Sequence, residues 1–233
     1  MSRSIVGPAV LGLVLSAATA PAADARWVTA WGAAADEPGP SFGGQTLRQV
    51  VRTSIAGSSV RVRLSNLFGT QPVTLGPVRV AAHAGGGATR PGTDRALAFG
   101  GKPTVTIAPG ADAVSDAVPF DVAALQELAV SLYVPTATGP STSHTVGMQT
   151  AYVVRGDATS ATSLPAGETD GTRYFLTDVE VAAAPDARAL VVVGDSVSDG
   201  VGSTEDANTR WPDALAARLQ AVPELRTAAD RSR

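Results

Sequence analysis

Val60-Arg61-Val62-Arg63-Leu64-Ser65 alternates apolar and polar residues without a break, and that two-residue period decides the fold of most of the chain. In an extended strand successive side chains leave on opposite faces. Val60, Val62 and Leu64 would therefore face a core, with Arg61, Arg63 and Ser65 facing away. The same period returns at Leu128, Val130, Leu132 and Val134, around Ala129, Ser131 and Tyr133. Shorter runs of the same kind occupy residues 73–75, 78–80, 105–107 and 118–122. Turn-forming stretches separate them, among them Gly69-Thr70-Gln71-Pro72, Gly85-Gly86-Gly87 and Pro109-Gly110. Many short strands with frequent turn signals predict an all-β sandwich or jelly-roll-like domain over residues 26–184. Leu47, Val50, Val51 and Ile55 would also fit a helix face, but the Val, Thr and Ser content around them favours a strand. Residues 164–172 read as a loop and 173–182 as a last strand. Ala182-Ala183-Ala184-Pro185-Asp186 then reads as a short linker.

The bulk properties narrow the function classes. A length of 233 residues allows one large domain or two small ones, and 44% hydrophobic with 17% charged residues suits a folded chain. The formal charge is −3 and the arginines are scattered, so the basic patch of a nucleic-acid partner is missing. There is no cysteine, hence no disulfide framework and no thiolate metal site. His83 and His144 lack any paired ligand spacing, so neither a metal nor a cofactor is expected. Arg3, the apolar residues 5–18 and the small Ala23-Asp24-Ala25 form an export signal over residues 1–25, which predicts a secreted protein. The apolar run is short for a stable membrane span.

Beyond residue 184 the pattern changes. Leu190-Val191-Val192-Val193 stops abruptly at Gly194-Asp195-Ser196, the way a buried parallel strand delivers a serine to a sheet edge. A polar loop then leads to Trp211-Pro212-Asp213, with proline suited to a first helical turn. Leu215, Leu219 and Val222 mark an apolar helix face beside Ala216, and Pro223 ends it. This strand–loop–helix unit over residues 185–233 reads as the start of an α/β domain. Other motif readings fail. Ser198 stands where a Gly-x-Ser-x-Gly elbow needs glycine, and Gly200-Val201-Gly202 lacks the third glycine of a dinucleotide loop.

Gly194-Asp195-Ser196-Val197-Ser198-Asp199-Gly200 resembles block I of the SGNH, or GDSL, hydrolases. Arg210-Trp211-Pro212 and its helix are similar to a bacterial subgroup of secreted esterases that carry an N-terminal β-domain. The stretch Val60 to Asn66 and the Gly69 turn resemble that leader domain. The resemblance implies an SGNH-type serine ester hydrolase acting on a small-molecule or carbohydrate ester through an acyl-serine. Ser196 would be the nucleophile, and its backbone N–H an oxyanion donor. A serine hydroxyl needs a positioned base. Family members take it from an Asp-x-x-His near the C-terminus, and take a glycine and an asparagine as further oxyanion donors. None of the three elements occurs in these residues, and 226–233 reads as a polar tail with no strand to continue a sheet. The expectation is an incomplete hydrolase segment, cut short or frame-shifted near residue 226, with little or no esterase activity.

The remaining candidates have plainer readings. His144 could serve as a base, since histidine precedes serine in other triads, but it reads better as a loop residue bonded to nearby backbone. His83 reads as exposed. Asp195 and Asp199, with Gly194 and Gly200, read as loop-structuring residues around the serine. Trp27 and Trp31 fit core or edge aromatics better than sugar platforms. Trp211 should pack beside the strand before Ser196. Asp36-Glu37 and Glu205-Asp206 read as solvated acidic pairs. The alternative function is a secreted β-sandwich that binds carbohydrate or protein, with a vestigial hydrolase segment.

Overall fold

A computed structural model describes residues 26–226 and 228–232. The expected leader at 1–25 lies outside the described residues. The strands, in chain order, begin with β1 (Arg26–Gly32), β2 (Glu37–Gly39), β3 (Gln45–Arg52), β4 (Gly57–Ser65), β5 (Val73–Leu75) and β6 (Val78–Ala82). Next come β7 (Arg95–Leu97), β8 (Val105–Ile107), β9 (Asp112–Val114), β10 (Val118–Val122), β11 (Glu127–Val134) and β12 (Ser141–His144). Then follow β13 (Ala151–Arg155), β14 (Glu168–Asp170), β15 (Arg173–Tyr174), β16 (Leu176–Ala183) and β17 (Arg188–Val192). Helices α1 (Ser196–Asp199) and α2 (Trp211–Ala221) precede a last strand, β18 (Ala228–Ser232).

The protein is mostly β, built from several antiparallel sheets. One large sheet runs β1-β16-β4-β10 with β9 also on β4, and the other runs β14-β13-β3-β11-β6-β7. Their inner faces share one core, as a β-sandwich requires. Val60, Val62, Leu64, Val179 and Val181 come from the first sheet, and Leu47, Val51, Val80, Leu128 and Val130 from the second. The alternation along β4 is visible directly, with Val60, Val62 and Leu64 buried between half-buried Arg61 and Arg63. Those arginines meet acidic partners across the strand pair: Arg61 Nε donates to Glu180 Oε2 at 2.6 Å, and Arg63 Nη2 to Glu180 Oε1 at 3.1 Å. Buried Gln49 acts as a substitute strand partner. Its side-chain amide accepts from Tyr174 N at 2.7 Å and donates to Tyr174 O at 2.9 Å, joining the second sheet to β15.

Several expectations change. β11 is buried on both faces rather than one, because Ser131 accepts from the buried Arg48 guanidinium, which the loops around Gly87 and Ala161 cover. The expected loop at 164–172 contains β14, paired with β13. The last strand breaks at Phe175, whose φ of 60° separates β15 from β16. The expected linker is a tight turn in which Ala187 N donates to Ala184 O at 2.9 Å, and Ala187 itself is fully buried.

The largest corrections fall after residue 187. β17 is not a buried strand: Leu190 is 43% and Val191 50% exposed, and only Val192 is buried. Nor is the tail without a strand. β18 pairs parallel with β17, from Arg188↔Ala228 to Val192↔Ser232. Ladder hydrogen bonds come from the backbone, so a polar segment can pair as well as an apolar one. The backbone of β18 runs beside β1 and α2.

Candidate nucleophile site

The serine turn is built by its own sequence. Asp195 has an extended backbone and N-caps α1, its carboxylate accepting from Val197 N at 3.1 Å. Gly200 closes the single turn with φ 99°, its N–H donating to Ser196 O at 3.1 Å. Glycine is needed there twice over: the backbone is left-handed, and a Cβ would collide with the Arg210 side chain. Gly194 is needed because the Ser198 side chain folds back over it and leaves no room for a Cβ. Ser196 opens α1 and is exposed. In the first helical turn its N–H has no intrahelical acceptor. Asp199, by contrast, turns toward the β-sandwich.

There it meets His144, the last residue of β12. His144 Nε2 lies 3.5 Å from Asp199 Oδ1, and Nδ1 lies 2.8 Å from Ala34 O and 3.6 Å from Asp36 Oδ2. Thus His144 ends a strand rather than lying in a loop, although it does bond backbone. Burial pushes the Asp199 carboxyl above its ordinary range. His144 and Arg210 pull it back down, while Asp36 and Asp195 push it further up. His83 is not simply exposed. Its Nδ1 pairs with Glu127 Oε2 at 2.6 Å and its Nε2 with Gly86 O at 2.8 Å.

The loop after α1 is strapped to the sandwich residue by residue. Arg210 Nη1 donates to Gly147 O at 3.1 Å, and Asp206 N to Met148 O at 3.2 Å. The Asp206 carboxylate accepts from both Thr150 N and Thr150 Oγ1. Asn208 Nδ2 donates to Glu127 Oε1 at 2.6 Å, and α2 adds Gln220 Nε2 donating to Ser54 O at 2.9 Å. Asp206 and Asn208 adopt φ 61° and 50°, conformations that Asp and Asn tolerate better than most residues. Asp206 is therefore a docking residue, not a solvated acid, and Asp36 likewise accepts from Thr145 N and Thr145 Oγ1. Sequence reasoning missed Glu127, Thr150 and Asn208. Positive-φ tolerance at Asp206 and Asn208 was the one local signal available.

Between turn and sandwich lies a cavity of about 60 Å³, lined by His144, Ser198, Asp199 and Trp31, with Arg173 and Arg210 beside them. That volume suits one or two waters, not an ester. Fully buried Arg173 donates to the Gln149 and Thr172 carbonyls. Burial, and then repulsion from Arg210, hold its pKa down to about 10. α2 presents Pro212 and Ala216 as its buried residues, not the Leu215–Leu219–Val222 face. Trp211 is 44% exposed rather than packed on β17, because Pro212, one residue on, takes the inward position. Trp27 lies under the Arg61 guanidinium at 4.4 Å, and Trp31 packs against the core. Among the described residues no group of three His, Asp or Glu side chains is placed to hold a metal, and no helix is long and apolar enough to cross a membrane.

No protein-family model matches the chain, and no curated protein matches it either.

Proposed function

We propose that this is a secreted protein carrying the nucleophile segment of an SGNH-type serine ester hydrolase, with β17, α1, α2 and β18 belonging to its α/β part. The observation that carries the reading is the placement of Ser196. It is exposed at the first position of a one-turn helix, four residues beyond the end of a strand in parallel pairing, with Asp195 and Gly200 fixing the turn. Such a serine would attack an ester carbonyl through Oγ, expel the alcohol and pass the acyl group to water. Both His144 ring nitrogens face other groups, Ala34 O and Asp199, and both of His83 face Glu127 and Gly86 O. The reading therefore needs a proton acceptor other than these two histidines.

Chemical rescue supplies one. With p-nitrophenyl acetate and added imidazole, peptide mapping should find acetyl groups concentrated on Ser196, saturating with ester concentration. Ser196→Ala should show none at that peptide. Acetylation spread evenly over exposed serines would overturn the reading.

One observation favours the second reading, a binding module. A groove of about 480 Å³ lies on the sandwich between Arg63, Leu67, Asp112 and Thr177, and Ser196 is not among its lining residues. A glycan array probed with the full chain and with an Arg63→Ala variant distinguishes the two. Binding that depends on Arg63, together with no Ser196 acetylation, would select the module.

A further inference from the structure

The contact between His144 and Asp199 joins two residues 55 positions apart, one ending a sandwich strand and one ending the serine turn. It differs from the other docking contacts. Those hold the loop at 206–210 and α2, whereas this one reaches the turn itself, three residues from Ser196. The charges around it are unbalanced. Asp199 shares its neighbourhood with two further carboxylates, Asp36 beside the loop after β1 and Asp195 at the start of the turn. Against these stand His144 from β12 and Arg210 from the loop before α2. Arg210 is already committed, with Nε donating to Asp213 Oδ2 at 2.6 Å and Nη2 to Asp213 Oδ1 at 3.2 Å. Arg52 and Arg173 line the same cavity. Arg52 Nε donates to Leu125 O and its Nη1 approaches Asp213, while Arg173 faces backbone carbonyls. That leaves His144 as the group within ion-pair distance of Asp199, with its side chain 13% exposed.

We propose that His144 is a positioning residue for Ser196: from the end of β12 it holds Asp199, and so fixes the serine turn against the β-sandwich. The role of Ser196 as nucleophile is taken from the reading above, but the contact itself does not depend on it. Protonated imidazole offsets one of three clustered carboxylates. Without that partner the three carboxylates of Asp36, Asp195 and Asp199 are left in mutual repulsion, and the turn loosens. Single removal of one partner from a partly buried pair leaves the other charge unpaired, while removal of both is much milder. That asymmetry separates a charge role from simple packing.

The test is amide hydrogen exchange on the full chain at about pH 5.5, below the ordinary imidazole value. His144→Gln should raise exchange at residues 196–203 about tenfold, with β4 and β11 unchanged. The double variant His144→Gln/Asp199→Asn should return those amides to near wild-type protection. Imidazole-assisted acetylation of Ser196 should fall in the single variant and recover in the double. Exchange in His144→Gln within about twofold of wild type would overturn the proposal, as would a double variant that stays as loose as the single. If His144→Gln fails to fold, refolding of the double variant supports the charge role and its failure to refold refutes it. Exchange that follows this pattern while Ser196 resists acetylation even in the wild type would count against the nucleophile reading alone.

Discussion

Arg48 is 1% exposed and, among the described residues, faces no carboxylate at hydrogen-bond distance, yet its guanidinium is well supplied with acceptors. It donates to Ser131 Oγ, Gly87 O and Ala161 O, each at 2.7 Å, and at longer range to Ala158 O and Thr159 O. Burial lowers its pKa and the charge of Asp94 raises it, while neutral oxygens supply the hydrogen-bond acceptors. Arg48→Met fills much of the volume but strips those carbonyls of their donor. We expect a loss of about 3 kcal/mol in urea unfolding with an unchanged m value. Tyr174 offers a pH-dependent counterpart. Its hydroxyl donates to Asp170 Oδ2 at 2.6 Å, and burial first, then that bond, raise its pKa to about 12 from 10.0. A folded-state value above the unfolded one means that its contribution is complete below pH 10 and is lost as the pH rises through about 12. Tyr174→Phe should be destabilised by about 1 kcal/mol at neutral pH and lose that alkaline component of unfolding. Absorbance at 295 nm across the alkaline range, set against melting temperature, checks both statements.

At the level of elements, close approach and docking carry different risks. A Cβ at Gly57, the first residue of β4, would lie 2.5 Å from Val181 Cβ on β16. Gly57→Ala should therefore cost about 1–3 kcal/mol in global unfolding by forcing the two strands apart. Asp206→Gly tests the strap instead, since glycine accepts the positive φ but removes both bonds to Thr150. A glutamate-specific protease should then cut at Glu205 well before any site in the sandwich, while the wild-type loop resists. What could be read from sequence follows the same division. The alternation at Val60–Val62–Leu64 and the Asp195–Gly200 turn are local patterns, and local patterns are legible. Arg48 is not, because its acceptors lie 39 to 113 residues away and only folding brings them together. The same holds for Asn208 and Glu127, which are 81 residues apart. The run at Leu190–Val193 misled for a related reason: composition marks a strand that could be covered, not whether anything covers it. The tail misled in the opposite sense, since backbone pairing of β18 leaves no apolar signature.

Among the described residues, the exposed large apolar side chains other than Leu67 lie after residue 187. Val193 is 87% exposed, Val197 67% and Val201 58%, in addition to Leu190 and Val191 on β17. Apolar surface beside a strand is a familiar route to association. Sedimentation velocity should show mass rising with concentration, and Val191→Lys/Val193→Lys should suppress it without altering the sandwich's unfolding. The pairing of β1 with β16 has a consequence of another kind. Residues 26–32 find their partner only at residues 176–183, so a growing chain leaves the ribosome with the first sheet still open until residue 183 has been made. The serine turn begins just a dozen residues later. Vectorial synthesis thus presents it to a sandwich that has only then acquired its full set of strands, with Glu127, His144 and Thr150 already waiting. In the order of manufacture, the cradle is finished before its contents arrive.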